Sequence, residues 1–375
     1  MTRDGRIAAL RRHLPGATRK RFAQVASFDE VPEAEITAVE LPRTPAPPPS
    51  SRSVQPQVHP VFVRTYPEPV HPLRVVAVPD GHLVTGGGVV LTGDEVLVGE
   101  TMWDLEHFRR DFDPPRQLSA PTHLSGTHAS IISLWSNNYF HWIFNALPRL
   151  AVLQASGVAY DSIIVPETLT RFQRETLALV GVPEERMTPF AGDHVTVDRL
   201  IWSAPLAPIN EPSAFLLEWV KASLGTTAQQ TGRRLYVSRS GTRRAANEAE
   251  VYAALEPLGF EFVVPERLPF EEQVQLFASA DVLAGPHGSN FVNAVFSDRA
   301  SVLEFFQPAH VNHGVYSVLC AAGQDHWSII CEPVRRRGSR RFDDMHVPID
   351  LVLQSVEAIM NERRPRIALD PPHGS

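Results

Sequence analysis

A short apolar run that ends in Gly285-Pro286-His287-Gly288-Ser289 leaves this chain few folding options. The run itself, Ala280 to Ala284, has the length and character of a buried parallel strand. The five residues that follow cannot continue a strand and can turn sharply. From Ser289 the apolar residues fall at Phe291, Val292, Val295 and Phe296, which is helical spacing behind a capping residue. Strand, glycine-flanked turn and helix place backbone N–H groups and a helix N-terminus above the carboxyl end of a sheet. An anion such as a diphosphate is the natural guest there. A lone G-x-x-G turn is a weak motif, however, and it reads equally as a tight connection carrying an ordinary loop histidine.

The rest of the chain repeats this unit. Ala129 to Trp135 reads as a strand, Tyr139 to Ser156 as a helix, Ser162 to Pro166 as a strand and Arg171 to Gly181 as a helix, with His194 to Ser203 closing the series. After a helix over 211–225 the rhythm restarts: strand 234–238, helix 247–258, strand 260–264, helix 270–279, the organising unit, strand 301–306, helix 315–322 and strand 327–331. The residues from Ile349 to Asn361 form an amphipathic C-terminal helix. Alternation of this kind predicts an α/β protein with two Rossmann-like halves and a ligand cleft at the carboxyl ends of the strands. Before it, His82 to Trp103 reads as a small antiparallel meander.

Composition narrows the classes. An apolar fraction of 43% fits a soluble globular protein, and a net charge of −7 argues against a nucleic-acid binder. Two cysteines, Cys320 and Cys331, supply neither a disulfide framework nor a metal quartet. With no signal peptide and no long apolar run, the chain reads as cytoplasmic. Residues 1–22 are basic, and a peripheral contact with the inner face of the membrane is the alternative to a plain basic N-terminus. Residues 42–58 are rich in Pro and Ser and read as a linker or irregular arm. Asp111-Phe112-Asp113 has the form of an Asp-x-Asp metal site, but Pro114 and Pro115 follow it, so no metal site is assigned.

Three further stretches carry possible chemistry. In Asn137 to Arg149, Asn138 or Asn137 can cap the helix, while His141 and Asn145, four residues apart, share one face. A histidine at that place suits general-base work, and the alternative is a packed histidine beside Trp142. In Leu235 to Arg244, Arg239 follows the strand directly and can clamp phosphate, with Arg243 and Arg244 read as donor contacts or as a solvated basic loop. In Val302 to Phe306, Glu304 is a lone carboxylate in an apolar strand and needs partners: ribose hydroxyls or a structural salt bridge.

Taken in order, NYFHWIFNALPRL, RRLYVSRSGTRRAANE, EEQVQLFASADVLAGPHGSNFVNAVF and SVLEFF resemble glycosyltransferase family 61, over roughly Leu134 to Phe306. The resemblance implies a GT-B-type fold, a nucleotide-sugar donor (usually a UDP-sugar), inversion at the anomeric carbon and no required metal or other cofactor. It also implies a role in capsular or exopolysaccharide biosynthesis, with a saccharide or glycolipid acceptor. Carried over by position, Arg239, His287, Gly288 and Ser289 hold the donor, with Arg244, Gly285, Asn290 and Glu304 assigned beside them. His141 faces the acceptor as base, with Asn138 and Asn145 on the acceptor side and Glu248 as the reserve base. In many members an acidic residue stands where this chain has Asn145. The expected organisation is an arm over 1–58, an acceptor-side domain over 59–215, a nucleotide-sugar domain over 216–345, and a helix and tail over 346–375 that cross back onto the N-terminal half. A phosphoester hydrolase and a non-catalytic sugar-nucleotide-binding module are the competing readings.

Overall fold

The apolar runs become strands of two separate sheets. The computed structural model describes residues 18–19, 25–41, 51–63, 73–84, 88–101, 117–206, 212–225, 227 and 231–363. The first sheet has nine strands. Its parallel part is Met187–Phe190, Ser162–Pro166, Thr122–Ser130 and His194–Ser203, in that spatial order. Arg74–Val84 then runs antiparallel to His194–Ser203 and carries the expected meander, Val89–Leu91 and Leu97–Val98. One expectation shifts: the strand placed at 129–135 lies at Thr122–Ser130, and Ile131 to Trp135 leave the ladder to approach the helix at 139.

The restarted rhythm becomes a six-stranded, wholly parallel sheet. Its order is Phe260–Val263, Arg233–Val237, Ala280–Pro286, Ser301–Phe306, Asp325–Ile330 and Ser51–Arg52. Both faces are covered, as a parallel sheet requires. Leu235, Val237, Leu283 and Val302 join one continuous core with the first sheet and the helices between them, Ala214–Leu224 and Phe270–Ala278 among these. The alternate residues Tyr236, Val282, Ala284, Leu303 and Phe305 form a second core on the other face.

One sequence expectation fails here. The C-terminal helix, Ile349–Arg363, does not cross back onto the N-terminal half. Val352, Val356 and Ile359 recur at helical spacing and match the outer core of the second sheet, where Phe305, Trp327 and Ile329 lie. Arg363 closes the packing with an ion pair to Asp281 at 3.1 Å. The chain that does cross is the N-terminal arm. Ser51–Arg52 adds a sheet edge strand, Gln55 exchanges hydrogen bonds with the backbone of Ile330 at 3.0 and 2.8 Å, and the Phe62 ring is buried against Phe306, Tyr316 and His326. From Ser51 on, the expected arm thus lies as a strap along the second sheet, while residues 42–50 lie outside the described residues.

Candidate functional site

The carboxyl end of the second sheet meets the helix that opens at Tyr139. At that helix Asn138 accepts hydrogen bonds from the backbone of Phe140 (3.0 Å) and His141 (3.4 Å) through its Oδ1. The same oxygen receives the Ser289 hydroxyl at 3.1 Å, so one side chain brackets the two halves. Tyr139 donates its hydroxyl to Asn293 at 2.6 Å and makes a second tie. The first turn, Tyr139–His141, is α-helical; Trp142–Ala146 then widens into a π turn before the α-helix resumes at Arg149–Ser156. Single π turns inside helices gather at functional sites.

His141 sits beside the π turn. Its Nδ1 lies 3.0 Å from Asn145 Oδ1, an acceptor, so Nδ1 carries the proton and Nε2 carries the lone pair. Burial lowers the imidazole pKa, and the bond to Asn145 opposes that shift in part. The downward shift favours the neutral ring, the form that can take up a proton. Asn145, expected on the acceptor side, is only 5% exposed, and its Oδ1 is engaged with His141, whose tautomer it sets.

On the other side the turn after Ala280–Pro286 is tightly built. Gly285 has φ +156°, and a Cβ on it would stand 2.3 Å from the Val237 carbonyl oxygen. A Cβ on Gly288 would stand 2.1 Å from Arg239 Nη1. Gly285 needs glycine, since the atom it would meet is backbone, whereas a side chain at Gly288 would displace the end of Arg239. Arg239 donates to the carbonyls of Thr242 (2.5 Å) and His287 (3.1 Å), and so ties the two loops together. Ser289–Phe296 is a helix of the tighter 3-10 type, capped at Gly288; Ser289 is not its cap, because its hydroxyl goes to Asn138. The N–H of His287 is taken by Phe305, which leaves the amides of Gly288, Ser289 and Asn290 to open the helix.

Glu304 is corrected outright. It is 0% exposed, and its two oxygens receive His287 Nδ1 at 2.8 Å and His326 Nε2 at 3.1 Å, so it cannot touch a ribose. The relay extends in both directions. Ser51 of the arm meets His326 Nδ1 at 2.7 Å, while Asn312 Nδ2 lies 3.3 Å from His287 Nε2 and 3.1 Å from His310 Nε2. Burial disfavours the Glu304 charge, but the two histidines outweigh it and draw the carboxyl down to about 2. The folded pKa lies below the ordinary 4.5, so this stabilisation is complete above pH 4.5 and fades as the pH falls toward 2. A glutamine keeps one acceptor oxygen and sets an NH2 donor against the second histidine N–H, so the charge and one of the two bonds are lost together, at about 1–3 kcal/mol. Glu304→Gln is therefore expected to lower the melting temperature by a few degrees at pH 7, the gap to wild type narrowing below pH 4. A constant gap from pH 7 to 3 in thermal melts would contradict it.

The arginines divide in an unexpected way. Arg244, assigned to the donor, turns outward: its backbone N–H and guanidinium go to Asp344 at 2.9 and 3.6 Å. Arg243 turns in, because its φ of +61° reverses the side on which the side chain leaves the backbone. Its Nε is buried without a hydrogen-bond partner among the described residues. Burial first, then Arg239 and Arg341, push its pKa down to about 9. His310 is driven to about 2 by burial and by Arg243, His287, Arg341 and Arg239. Cationic groups crowded on one buried spot repel one another, and an anion placed among them would relieve that. His310, Asn312, His326 and Arg341 are not singled out by the sequence; for His310 and Asn312 the run Gln307-Pro308-Ala309-His310-Val311-Asn312-His313 after the strand is the available signal.

Glu248 opens the helix Glu248–Leu255 and accepts from Tyr236 (3.2 Å) and Ser238 (2.8 Å), which places it on the arginine side of the junction. Asp111 and Asp113 lie outside the described residues. Among the described residues no group of three or more His, Cys, Asp and Glu is placed to hold a metal ion.

A family model described as Glycosyltransferase 61 matches residues 139–303. Over that segment the chain is similar to glycosyltransferase family 61. The match begins at the first residue of the His141 helix and ends one residue before Glu304, so it encloses His141, Asn145, Arg239, Arg243, Glu248 and the 285–290 turn. The strap, His310, Asn312 and His326 lie outside it. A glycosyltransferase family implies in general a sugar donor and an acceptor. No curated protein matches the chain.

Proposed function

We propose that this chain transfers a sugar, with inversion and without a metal ion, from a nucleoside diphosphate donor such as a UDP-sugar. The acceptor would be a saccharide or lipid-linked saccharide in polysaccharide assembly. One observation carries the reading: Arg239, Arg243 and the opening of the 289–296 helix converge, and Arg243 holds a buried, unpartnered Nε. Negative charge grows on the diphosphate as the anomeric bond breaks, and fixed cations with helix-opening amides stabilise it without a metal. In this reading Arg239, Arg243, Gly288, Ser289 and Asn290 hold the diphosphate, and His141 Nε2 removes the acceptor proton from the opposite face. Inversion follows because nucleophile and leaving group occupy opposite sides of the sugar. The two sheets would then act as the two halves of a GT-B-type arrangement, 59–215 toward the acceptor and 216–345 toward the donor.

Incubation with UDP-sugars in the presence of EDTA, followed by assay of the released nucleotide, tests this. Release of UDP that rises with added acceptor saccharide is the expected outcome. Release of inorganic phosphate from simple esters would show a hydrolase, and turnover abolished by EDTA and restored by manganese would remove the metal-free mechanism.

A further inference from the structure

Outside the family segment lies a hairpin whose two strands, Glu332–Val334 and Asp344–His346, pair antiparallel. Five of the seven residues 335–341 in its loop are arginine, in a chain whose net charge is −7. The base of the hairpin is firmly fixed. Met345 is buried in the outer core, and buried Asp343 receives the Arg335 guanidinium at 3.1 Å and the Arg336 N–H at 2.9 Å. Asp344 takes Arg244 and Arg336. Both carboxylates are thereby used, while Arg337, Arg340 and Arg341 are exposed and have no ion-pair partner among the described residues.

The loop is not merely charged. Phe342 and Val334 flank the arginines and are 40% and 38% exposed, among the large apolar side chains the fold leaves uncovered. A solvated basic loop needs no exposed phenyl ring. Basic side chains and an aromatic on one rigid projection suit an anionic lipid surface: the guanidiniums meet headgroup phosphates and the ring settles at the level of the headgroups. We propose that the 332–346 hairpin docks this protein on an anionic bilayer, with Arg337, Arg340 and Arg341 on lipid phosphates and Phe342 and Val334 in the interface. Gln307 Nε2 donates to the Arg340 carbonyl at 3.3 Å, and Arg336 donates to the Gly241 carbonyl at 3.3 Å. The hairpin is thus tied to the loops that rim the arginine site, and docking turns that rim toward the membrane.

Co-sedimentation of the full chain with vesicles tests the proposal. Binding is expected to phosphatidylcholine mixed with phosphatidylglycerol and not to phosphatidylcholine alone, and it should weaken as salt rises. Each arginine near an anionic surface contributes about a five-fold factor. The variant R337Q/R340Q/F342S should therefore lose at least about ten-fold in partitioning, with its melting temperature and its response to UDP unchanged. Arg337→Glu alone, at an exposed position, should give a partial loss and keeps the test open if the triple variant folds poorly. Residues 1–22 remain intact in both variants, so undiminished vesicle binding would move the contact elsewhere and overturn the proposal. Equal binding to neutral vesicles, or binding to heparin without binding to vesicles, would also overturn it.

Discussion

Replacing Arg243 by alanine is expected to weaken UDP binding about ten- to a hundred-fold while leaving the ligand-free protein as stable as before, or more so. The two halves of that expectation have separate causes. The lost affinity reflects a charge-assisted hydrogen bond to phosphate, worth about 1.5–3 kcal/mol. The retained stability reflects what Arg243 does without ligand: its Nε is buried and unpartnered, and Arg239 and Arg341 repel it. A residue that strains the empty protein and serves the filled one belongs to a binding site. Arg239→Ala should lose UDP affinity to a similar extent, but with lower stability, since Arg239 also holds the carbonyls of Thr242 and His287. Calorimetric titration with UDP, beside thermal melts, separates the cases. Unchanged UDP affinity in Arg243→Ala would remove this arginine from the donor site.

His141→Ala is expected to lower kcat by about 10²–10⁴-fold, the usual share of general-base catalysis, with UDP affinity nearly unchanged. The acidic limb of the pH–rate profile should vanish with it. In the wild type that limb falls below pH 6.5, because burial lowers the His141 pKa. Asn145 provides a second handle on the same group. A carboxylate in its place would favour the imidazolium, so Asn145→Asp should move the acidic limb to higher pH. Steady-state rates across pH decide the matter. If His141→Ala keeps most of its kcat, or loses UDP binding together with activity, the histidine packs the junction and does no chemistry.

The parts of this arrangement that the sequence disclosed are those that depend on neighbours along the chain. Parallel strands buried on both faces must be continuous apolar runs, so Ser301–Phe306 and Ser162–Pro166 are found where SVLEFF and SIIVP stand. The turn at 285–289 was readable because glycine, proline and glycine in close succession end a strand. The misplaced features depend on distant partners or on backbone sign. Glu304 looks like a ligand group in the sequence because its real partners are His287, His326 and, through His326, Ser51 of an arm 275 residues before that histidine. Arg243 and Arg244 are indistinguishable as letters, and a single positive φ decides which of them enters the site. The strap at 51–62 is held by Ser51–Arg52, the amide of Gln55 and one large apolar anchor, the Phe62 ring, and a single anchor leaves no apolar periodicity to see.

Thermal denaturation of the full chain in EDTA with uridine, UMP, UDP and a set of UDP-sugars measures the central claim directly. A ligand that binds only the folded state raises its melting temperature, by about 2.7 kcal/mol of stability at a hundred times Kd. Because Arg239, Arg243 and the helix-opening amides are assigned to the diphosphate, UDP and at least one UDP-sugar should raise the melting temperature clearly, UMP less and uridine hardly at all. An equal shift with uridine and UDP, or no shift with any of them, would contradict the account.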